Sequence, residues 1–248
     1  MIKVSEIINQ IEEFAPLTLA EEWDNSGWQI NLDNEFANKI MICLSVDLNV
    51  INQAVIQGCD LIISHHPLIF KPIKKIQNAT LTDKTIVEAV KHNIQIYSAH
   101  TNLDAAEGGI NDILCERLGL EVINGDNKFV KIGALSEPMN LESFILKLKI
   151  SLNCSKVKLI NPDNITEIKT VAVSSGAGAE FINELPQVDA FITGDVKYHS
   201  AMEVQNMALI DAGHFETEKI ILQTIKTLLE KTAKDIVIAK EKNPWIIV

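Results

Sequence analysis

The sequence is poor in several residue types, and each shortage excludes a class of protein. Aromatic residues make up only 5% of the 248 residues, so we expect a core of aliphatic side chains. Lys and Arg number 22 against 33 Asp and Glu, which gives a formal net charge of −11. An acidic chain of this kind does not suit binding along a nucleic-acid polymer. Apolar runs stay shorter than the roughly 18 residues of a membrane span.

Cysteine is scarce as well. The four cysteines are Cys43, Cys59, Cys115 and Cys154, and no two of them form a C-x-x-C pair. Cys43 and Cys59 stand among apolar residues, where we expect buried and inert thiols. The N-terminal residues lack the apolar segment of a signal peptide. These features predict a reducing compartment and a cytoplasmic location.

The full sequence is 47% hydrophobic, and a pattern of strand, helix and strand occurs twice in it. The first copy predicts strands at residues 39–46, 60–64 and 94–98 and helices at 49–58 and 83–92. The second copy predicts strands at residues 168–174, 188–193 and 207–211 and helices at 177–185 and 199–206. A last helix is predicted to open at Glu216 or Thr217, and residues 236–239 and 245–248 resemble short strands.

This order predicts an α/β fold with parallel strands and right-handed crossovers. We expect two related α/β domains, one with residues 1–124 and about 215–248, the other with residues 125–214. The turn at residues 124–127 marks the boundary. Ligands of parallel sheets bind beyond the carboxyl ends of the strands, so we expect a dinuclear metal site between the two domains.

Two adjacent histidines, His65 and His66, end the apolar strand at residues 60–64. Neighbouring strand residues point to opposite faces, so we expect the two imidazoles to serve two different ions, or one ion and one substrate group. Asp104 follows the third strand of the same copy. His214 and Glu218 are four residues apart, on one face if a helix starts there. Three histidines and two carboxylates suit two divalent ions of Zn, Mn, Fe or Ni.

Several other polar or aromatic residues also follow strands or lie in a short loop. His100 and His199 are each a candidate for a residue that orients a metal ligand, for a proton donor, or for an ordinary hydrogen-bonded residue. Asp195 and Lys197 form either an exposed pair or a substrate anchor. The turn that holds Gly176 and Gly178 suits an anion or simply needs glycines to turn tightly. Trp23 and Asp24 belong to a loop that is either a plug over the core or the wall of a binding site.

Six segments resemble, in this order, the motifs of the Nif-three-like family, whose bacterial members are named GTP cyclohydrolase 1 type 2 and homologues. They are "EEWDNSGWQI", "DLIISHHPLIF", "YSAHTNLDAAEGGIND", "VAVSSGAG", "DAFITGDVKYHSA" and "DAGHFETE". The resemblance spans nearly the whole chain in its short bacterial form. It implies a dinuclear centre with His65, His66, Asp104, His214 and Glu218 as ligands, and a homohexamer built as a trimer of dimers.

The family resemblance also implies opening of the GTP imidazole ring with release of formate. No guanine-reading motif stands out in the sequence, so three functions stay open. The first is a metal-dependent hydrolase that acts on a nucleotide or a pterin-related substrate. The second is a metal-dependent phosphoesterase. The third is a non-enzymatic, hexameric metal-binding scaffold that stores, senses or transfers ions.

Overall fold

The computed structural model describes residues 1–123 and 127–245. The strands are β1 (Ile2–Lys3), β2 (Gly27–Ile30), β3 (Phe36–Ala37), β4 (Ile40–Cys43), β5 (Leu61–Ser64), β6 (Gln95–Ser98), β7 (Glu121–Ile123), β8 (Lys131–Asn140), β9 (Lys158–Ile160), β10 (Glu167–Val173), β11 (Ala190–Thr193), β12 (Ala208–Asp211) and β13 (Ile236–Ile238). The α-helices are α1 (Val4–Phe14), α2 (Leu48–Gln57), α3 (Leu81–Lys91), α4 (Thr101–Ala105), α5 (Ile110–Leu118), α6 (Leu141–Leu152), α7 (Tyr198–Met202), α8 (His214–Glu218) and α9 (Ile221–Leu229). The chain divides into two compact units. Unit 1 holds Met1–Glu107 and Leu222–Lys242, and unit 2 holds Gly108–Ile221 and the residues from Asn243 on.

Unit 1 is built on a five-stranded sheet in the order β13-β4-β5-β6-β2. The first four strands of this order are parallel, and β2 pairs with β6 in the antiparallel sense. Every residue of β4, β5 and β6 is buried, as in parallel sheets covered on both faces. The residues that follow β5 and β6 therefore leave the sheet side by side, at its carboxyl edge.

The crossover helices of unit 1 begin and end at clear sequence signals. The Asp47 side chain caps α2 by accepting a hydrogen bond from Val50 N at 2.8 Å. Gly58 ends that helix with a φ of 70°, which glycine adopts without a steric cost. Thr80 and Asp83 form a capping box at the start of α3. These capping residues fix where each helix begins or ends, and so fix the length of the crossover that leads to the next parallel strand.

Unit 2 repeats the parallel core in a six-stranded sheet of order β7-β8-β10-β11-β12-β9. β10, β11 and β12 are parallel, and β8 and β9 flank them in the antiparallel sense. All residues of β11 and β12 are buried. The prediction of an α/β fold made of two related strand–helix–strand units is confirmed.

Two predicted helices differ from the structure. The segment predicted as a helix at residues 177–185 is a 3₁₀ helix, Gly178–Glu184. Gly176 and Gly178 weaken α-helix formation there, and Leu185 precedes Pro186, which disfavours the helical backbone. The last helix, predicted to open at Glu216 or Thr217, starts earlier, at His214, and is divided into α8 and α9.

The longest strand of unit 2, β8, was absent from the prediction. Its residues are mostly half-buried or exposed, it contains Gly133 and Pro138, and its pairing with β10 shifts register between Ile168 and Thr170. Such a strand lacks the apolar run and the strict alternation that mark strands in a sequence.

The limits of the two units also differ from the predicted domain boundaries. The chain passes from unit 1 to unit 2 after Glu107 rather than at residue 124, and it returns at Leu222 rather than near residue 215. α5 belongs to unit 2 because it packs against α6, β7, β8 and β10. Residues 124–126 of the predicted turn and residues 246–248 of the predicted last strand lie outside the described residues.

Two further expectations concern membrane spans and thiols. None of the helices within the described ranges is long and apolar enough to cross a bilayer. Cys43, Cys59 and Cys115 are buried and free. Burial raises the pKa of the Cys59 thiol to about 11 and that of Cys115 to about 12, so both stay protonated. The prediction that Cys43 and Cys59 are buried is confirmed.

Candidate functional site

His65 and His66 leave the carboxyl end of β5 with their rings close together. The ring centroids are 4.8 Å apart and the planes are tilted by 46°. The expectation that strand alternation sends the two rings to opposite faces is wrong. β5 ends at Ser64 and the chain bends at the two histidines, so the alternation of a regular strand no longer applies.

The His65 ring is fully buried and its tautomer follows from its neighbour. Nδ1 lies 2.9 Å from the carbonyl oxygen of Ala99. A carbonyl oxygen only accepts, so Nδ1 carries the proton and donates it. Nε2 is then the nitrogen with the lone pair, which a metal ligand needs. The Asp104 carboxylate stands 3.7 Å from this Nε2 atom.

The His66 ring is held from the other side by Ser45. Its Nδ1 atom and Ser45 Oγ share a hydrogen bond of 2.7 Å. Ser45 is itself fixed by the Glu241 carboxylate, which accepts from Ser45 N at 2.9 Å and from Leu44 N at 2.7 Å. The residue that orients His66 therefore depends on a side chain near the end of unit 1.

His100 follows β6 and is oriented by Asp24. The Asp24 carboxylate accepts from His100 Nδ1 at 2.8 Å, from Thr101 N at 3.1 Å and Oγ1 at 2.6 Å, and from Ser26 Oγ at 2.7 Å. Burial raises the pKa of Asp24, but these hydrogen bonds outweigh it and hold the pKa well below its usual range. The Asp24 side chain has no exposed surface and holds His100 in the structure, and its assignment as a substrate-binding residue stays a prediction.

Together the three imidazoles of unit 1 form a cluster of metal-ligand type. His65, His66 and His100 each offer a ligand atom, and these atoms lie within 4.8 Å of one another. Each ring has a partner at Nδ1, which is how histidine ligands are oriented in metal sites. The donor set, imidazole nitrogens beside the Asp104 carboxylate, fits a divalent ion such as Zn, Mn, Fe or Ni.

Unit 2 presents a second group of ligand type at the start of α8. His214 Nε2 lies 3.0 Å from Glu218 Oε2, so the predicted placement one turn apart on one face is confirmed. The other ring nitrogen, Nδ1, donates to Asp195 Oδ2 at 2.8 Å. Burial lowers the pKa of His214, but the hydrogen bonds and charges of Glu218 and Asp195 raise it to about 9.

The turn after β10 packs tightly against this second group. Gly176 has a φ of +63°, and a Cβ atom there would collide with Glu218 Oε1. Gly176 N donates to Thr217 Oγ1 at 3.0 Å, and Ser175 N donates to Asn111 Oδ1 at 2.8 Å. Gly178 lies against Ser174 and Thr193. These glycines have packing roles, and the anion-binding role of Gly176 and Gly178 stays a prediction.

The remaining predicted residues lie on the surface of their units. His199 and Lys197 are exposed, and the His199 ring makes an edge contact with Tyr198 at 5.5 Å. Asp195 bonds to His214, and no ion pair joins it to Lys197 within the described residues. Trp23 is 59% exposed, with its ring centroid 6.4 Å from that of His100.

A buried carboxylate that was not predicted from the sequence fixes the loop before His214. Asp211, at the end of β12, accepts from Gly213 N at 3.1 Å and from Lys158 Nζ at 2.9 Å. Its side chain is only 4% exposed. The sequence does carry one signal for Asp211: it is a charged residue in the last position of an apolar strand. Ser45 and Glu241 were missed too, and neither carried such a signal.

The chain is similar to a family of known sequence and fold. The sequence model of Duf34/NIF3 (NGG1p interacting factor 3) matches residues 2–244. A "GTP cyclohydrolase 1 type 2 homolog" of Clostridium acetobutylicum is 37% identical over 230 residues, which cover 88% of this chain and 85% of that protein. The "GTP cyclohydrolase 1 type 2" of Helicobacter pylori strain J99 is 31% identical over 253 residues and the full length of both. The solved structure of reduced HcgD from Methanocaldococcus jannaschii is 32% identical, covers 96% of this chain and 97% of that one, and superimposes with a TM-score of 0.84.

Proposed function

Because the chain belongs to the Duf34/NIF3 family, we propose that it is a metal-dependent hydrolase that opens the imidazole ring of GTP and releases formate. The names of its relatives support the substrate. The observation that carries the hydrolase proposal is the cluster of His65, His66 and His100 in unit 1.

The metal would be held by imidazole and carboxylate groups. In unit 1 the ligands would be His65 and His66, with Asp104 beside them. In unit 2 they would be His214 and Glu218. The sequence prediction that these five residues hold two ions in one centre stays a prediction. A bound divalent ion supplies two things in such sites: it lowers the pKa of a water, and it polarises an oxygen of the substrate.

Proton transfer falls to His100 in this proposal. His65 and His66 have a carbonyl and a hydroxyl as Nδ1 partners, whereas His100 has the ionised carboxylate of Asp24. That carboxylate accepts the Nδ1 proton and so leaves Nε2 of His100 as the basic nitrogen, the atom that would take up a proton and return it.

The proposed reaction consumes two waters for each formate. One water adds at C8, the C8–N9 bond breaks, and the proton ends on N9, which leaves a formamide on N7. A second water cleaves the C8–N7 bond, releases formate and leaves a free amine. Both steps need a proton acceptor and a proton donor near the same carbon, which one imidazole with a carboxylate partner can provide in turn.

The first experiment measures formate, phosphate and bound metal together. Protein reconstituted with Zn, Mn, Fe or Ni is expected to release formate from GTP and to hold about two ions per chain by elemental analysis, as the ligand count requires. His65→Ala is expected to lose metal and formate release. The matched control is His92→Ala, which removes an exposed histidine at the end of α3 and is expected to change neither.

The same assay separates the alternatives. Phosphate release without formate from a panel of phosphoesters would favour a metal-dependent phosphoesterase. Full metal occupancy without turnover on any substrate would favour an ion-handling scaffold. Stoichiometric metal in His65→Ala would contradict the ligand assignment itself.

The role of His100 has its own test. His100→Ala is expected to keep the metal content of the native protein and to lose most formate release, because only the proton carrier is gone. Added imidazole is expected to restore part of the rate, since it can enter the space that the ring vacates. Loss of metal in this variant would instead make His100 a ligand.

A further inference from the structure

Two large aromatic side chains lie exposed beside the histidine cluster of unit 1. Trp23 is 59% exposed and Phe70 is 49% exposed. Their ring centroids are 5.9 Å apart in an edge contact. They lie 6.4 Å and 6.3 Å from the His100 ring. The three rings thus form a triangle of edge contacts that continues into the metal-ligand cluster.

Hydrogen bonds tie down the two loops that carry the exposed rings. Asn25 Nδ2 donates to Ile69 O at 2.7 Å and links the Trp23 loop to the Phe70 loop. Glu21 N donates to Thr101 Oγ1 at 3.0 Å. A different tryptophan, Trp28, contacts the buried Tyr97. Trp23 therefore differs from a core tryptophan, because its loop is tied by hydrogen bonds while more than half of its surface is exposed.

The segment that follows Phe70 carries positive charge in an acidic protein. Between His66 and Asp83 the sequence has three lysines, Lys71, Lys74 and Lys75, and no acidic residue. Every residue from Phe70 to Leu81 is exposed. A chain with a net charge of −11 thus carries three exposed cations in the segment that directly follows Phe70.

We propose that Trp23 and Phe70 bind the planar ring of a heteroaromatic substrate, and that the lysines of residues 71–75 bind a phosphate group on the same molecule. Stacking on aromatic side chains suits any base, because every base has a π face. Lysine is a common phosphate ligand that acts as a point charge. This inference rests on the proposed function, since it names the substrate class of the same site: a purine nucleotide or another phosphorylated planar ring.

The test measures binding rather than turnover. Metal-free protein, prepared with a chelator, is titrated by calorimetry with GMP, guanosine and ribose 5-phosphate. Trp23→Ala and Phe70→Ala are each expected to weaken GMP and guanosine binding by about tenfold, because a base that stacks on one ring meets the other, at 68° to it, edge to face. The triple variant Lys71→Gln, Lys74→Gln, Lys75→Gln is expected to weaken GMP binding several-fold at low salt and to leave guanosine binding unchanged. Trp245→Ala, which removes another exposed tryptophan, is the control and is expected to bind as the native protein does.

Three results would overturn the inference. The first is a native protein that binds neither GMP nor guanosine. The second is equal affinity in the native protein and in both aromatic variants. The third is an aromatic variant that changes only the sedimentation coefficient, which would assign the rings to contacts between chains. A protein that binds GMP through these rings but releases no formate would refute the proposed hydrolysis alone.

Discussion

At the scale of single residues, the neighbour at one ring nitrogen decides what the other nitrogen can do. His65 and His100 follow the same sheet edge, yet one donates to a carbonyl oxygen and the other to a carboxylate. The sequence could place both histidines after strands, but it could not assign these partners. Asp24 and His100 are 76 residues apart, and only the folded chain brings them together.

Gly176 offers a test of how closely the residues around Glu218 are packed. Gly176→Ala is expected to lower the free energy of unfolding by roughly 2–4 kcal/mol, because it adds a strained φ and an overlap with the Glu218 carboxylate. The displaced carboxylate is also expected to reduce bound metal. Urea unfolding and elemental analysis measure the two effects.

The control for this substitution is Gly58→Ala. Gly58 has a similar φ of +70°, but a Cβ atom there would meet nothing within 4 Å. In Gly58→Ala only the backbone strain remains. The free energy of unfolding is therefore expected to fall by about 1 kcal/mol, and the metal content is expected to stay unchanged. Equal losses in the two variants would show that the glycine at position 176 is needed for its backbone alone.

At the scale of secondary-structure elements, the parallel strands could be predicted and the antiparallel edges could not. β5 and β11 are buried on both faces and appear in the sequence as apolar runs with a polar residue at the end. β8 is half exposed and interrupted by Pro138, so no periodicity marks it. The candidate ligands were found because they follow predictable strands. The contact between Ser45 and Glu241 was not predicted, because 196 residues separate the two in the sequence.

Asp211, at the end of β12, contacts both Lys158 of β9 and Gly213 in the loop before His214. Substitutions at these positions test how much each contact stabilises the protein. Asp211→Ala is expected to cost about 1–3 kcal/mol of unfolding free energy, because Gly213 N loses its acceptor. Lys158→Ala removes the other partner, whose side chain is 74% exposed, and is expected to cost less than about 1 kcal/mol. Urea denaturation of both variants gives the comparison, and equal losses in the two variants would mean that the ion pair, rather than the hydrogen bond from Gly213 N, carries the stabilisation.

At the scale of the whole molecule, the family resemblance implies a homohexamer, which we carry forward as a proposal. Several large apolar side chains are exposed on the described helices, among them Ile56 at 83%, Ile150 at 71% and Leu146 at 59%. Sedimentation equilibrium is expected to give about six times the chain mass of 27.5 kDa. A mass of one chain at all concentrations would contradict the proposal. The sequence had no means of predicting assembly, because exposed and buried apolar residues of a helix look alike in it.

The position of β13 in the chain has a consequence for biosynthesis. β13 pairs with β4, but the ribosome makes β4 first and must then add most of unit 2, Gly108–Ile221, before Ile236 appears. The nascent polypeptide therefore carries an apolar strand with an open edge through most of translation. Such an edge pairs readily with other chains, which makes it a natural target for a chaperone. A message truncated before codon 236 would yield insoluble protein rather than a soluble first unit.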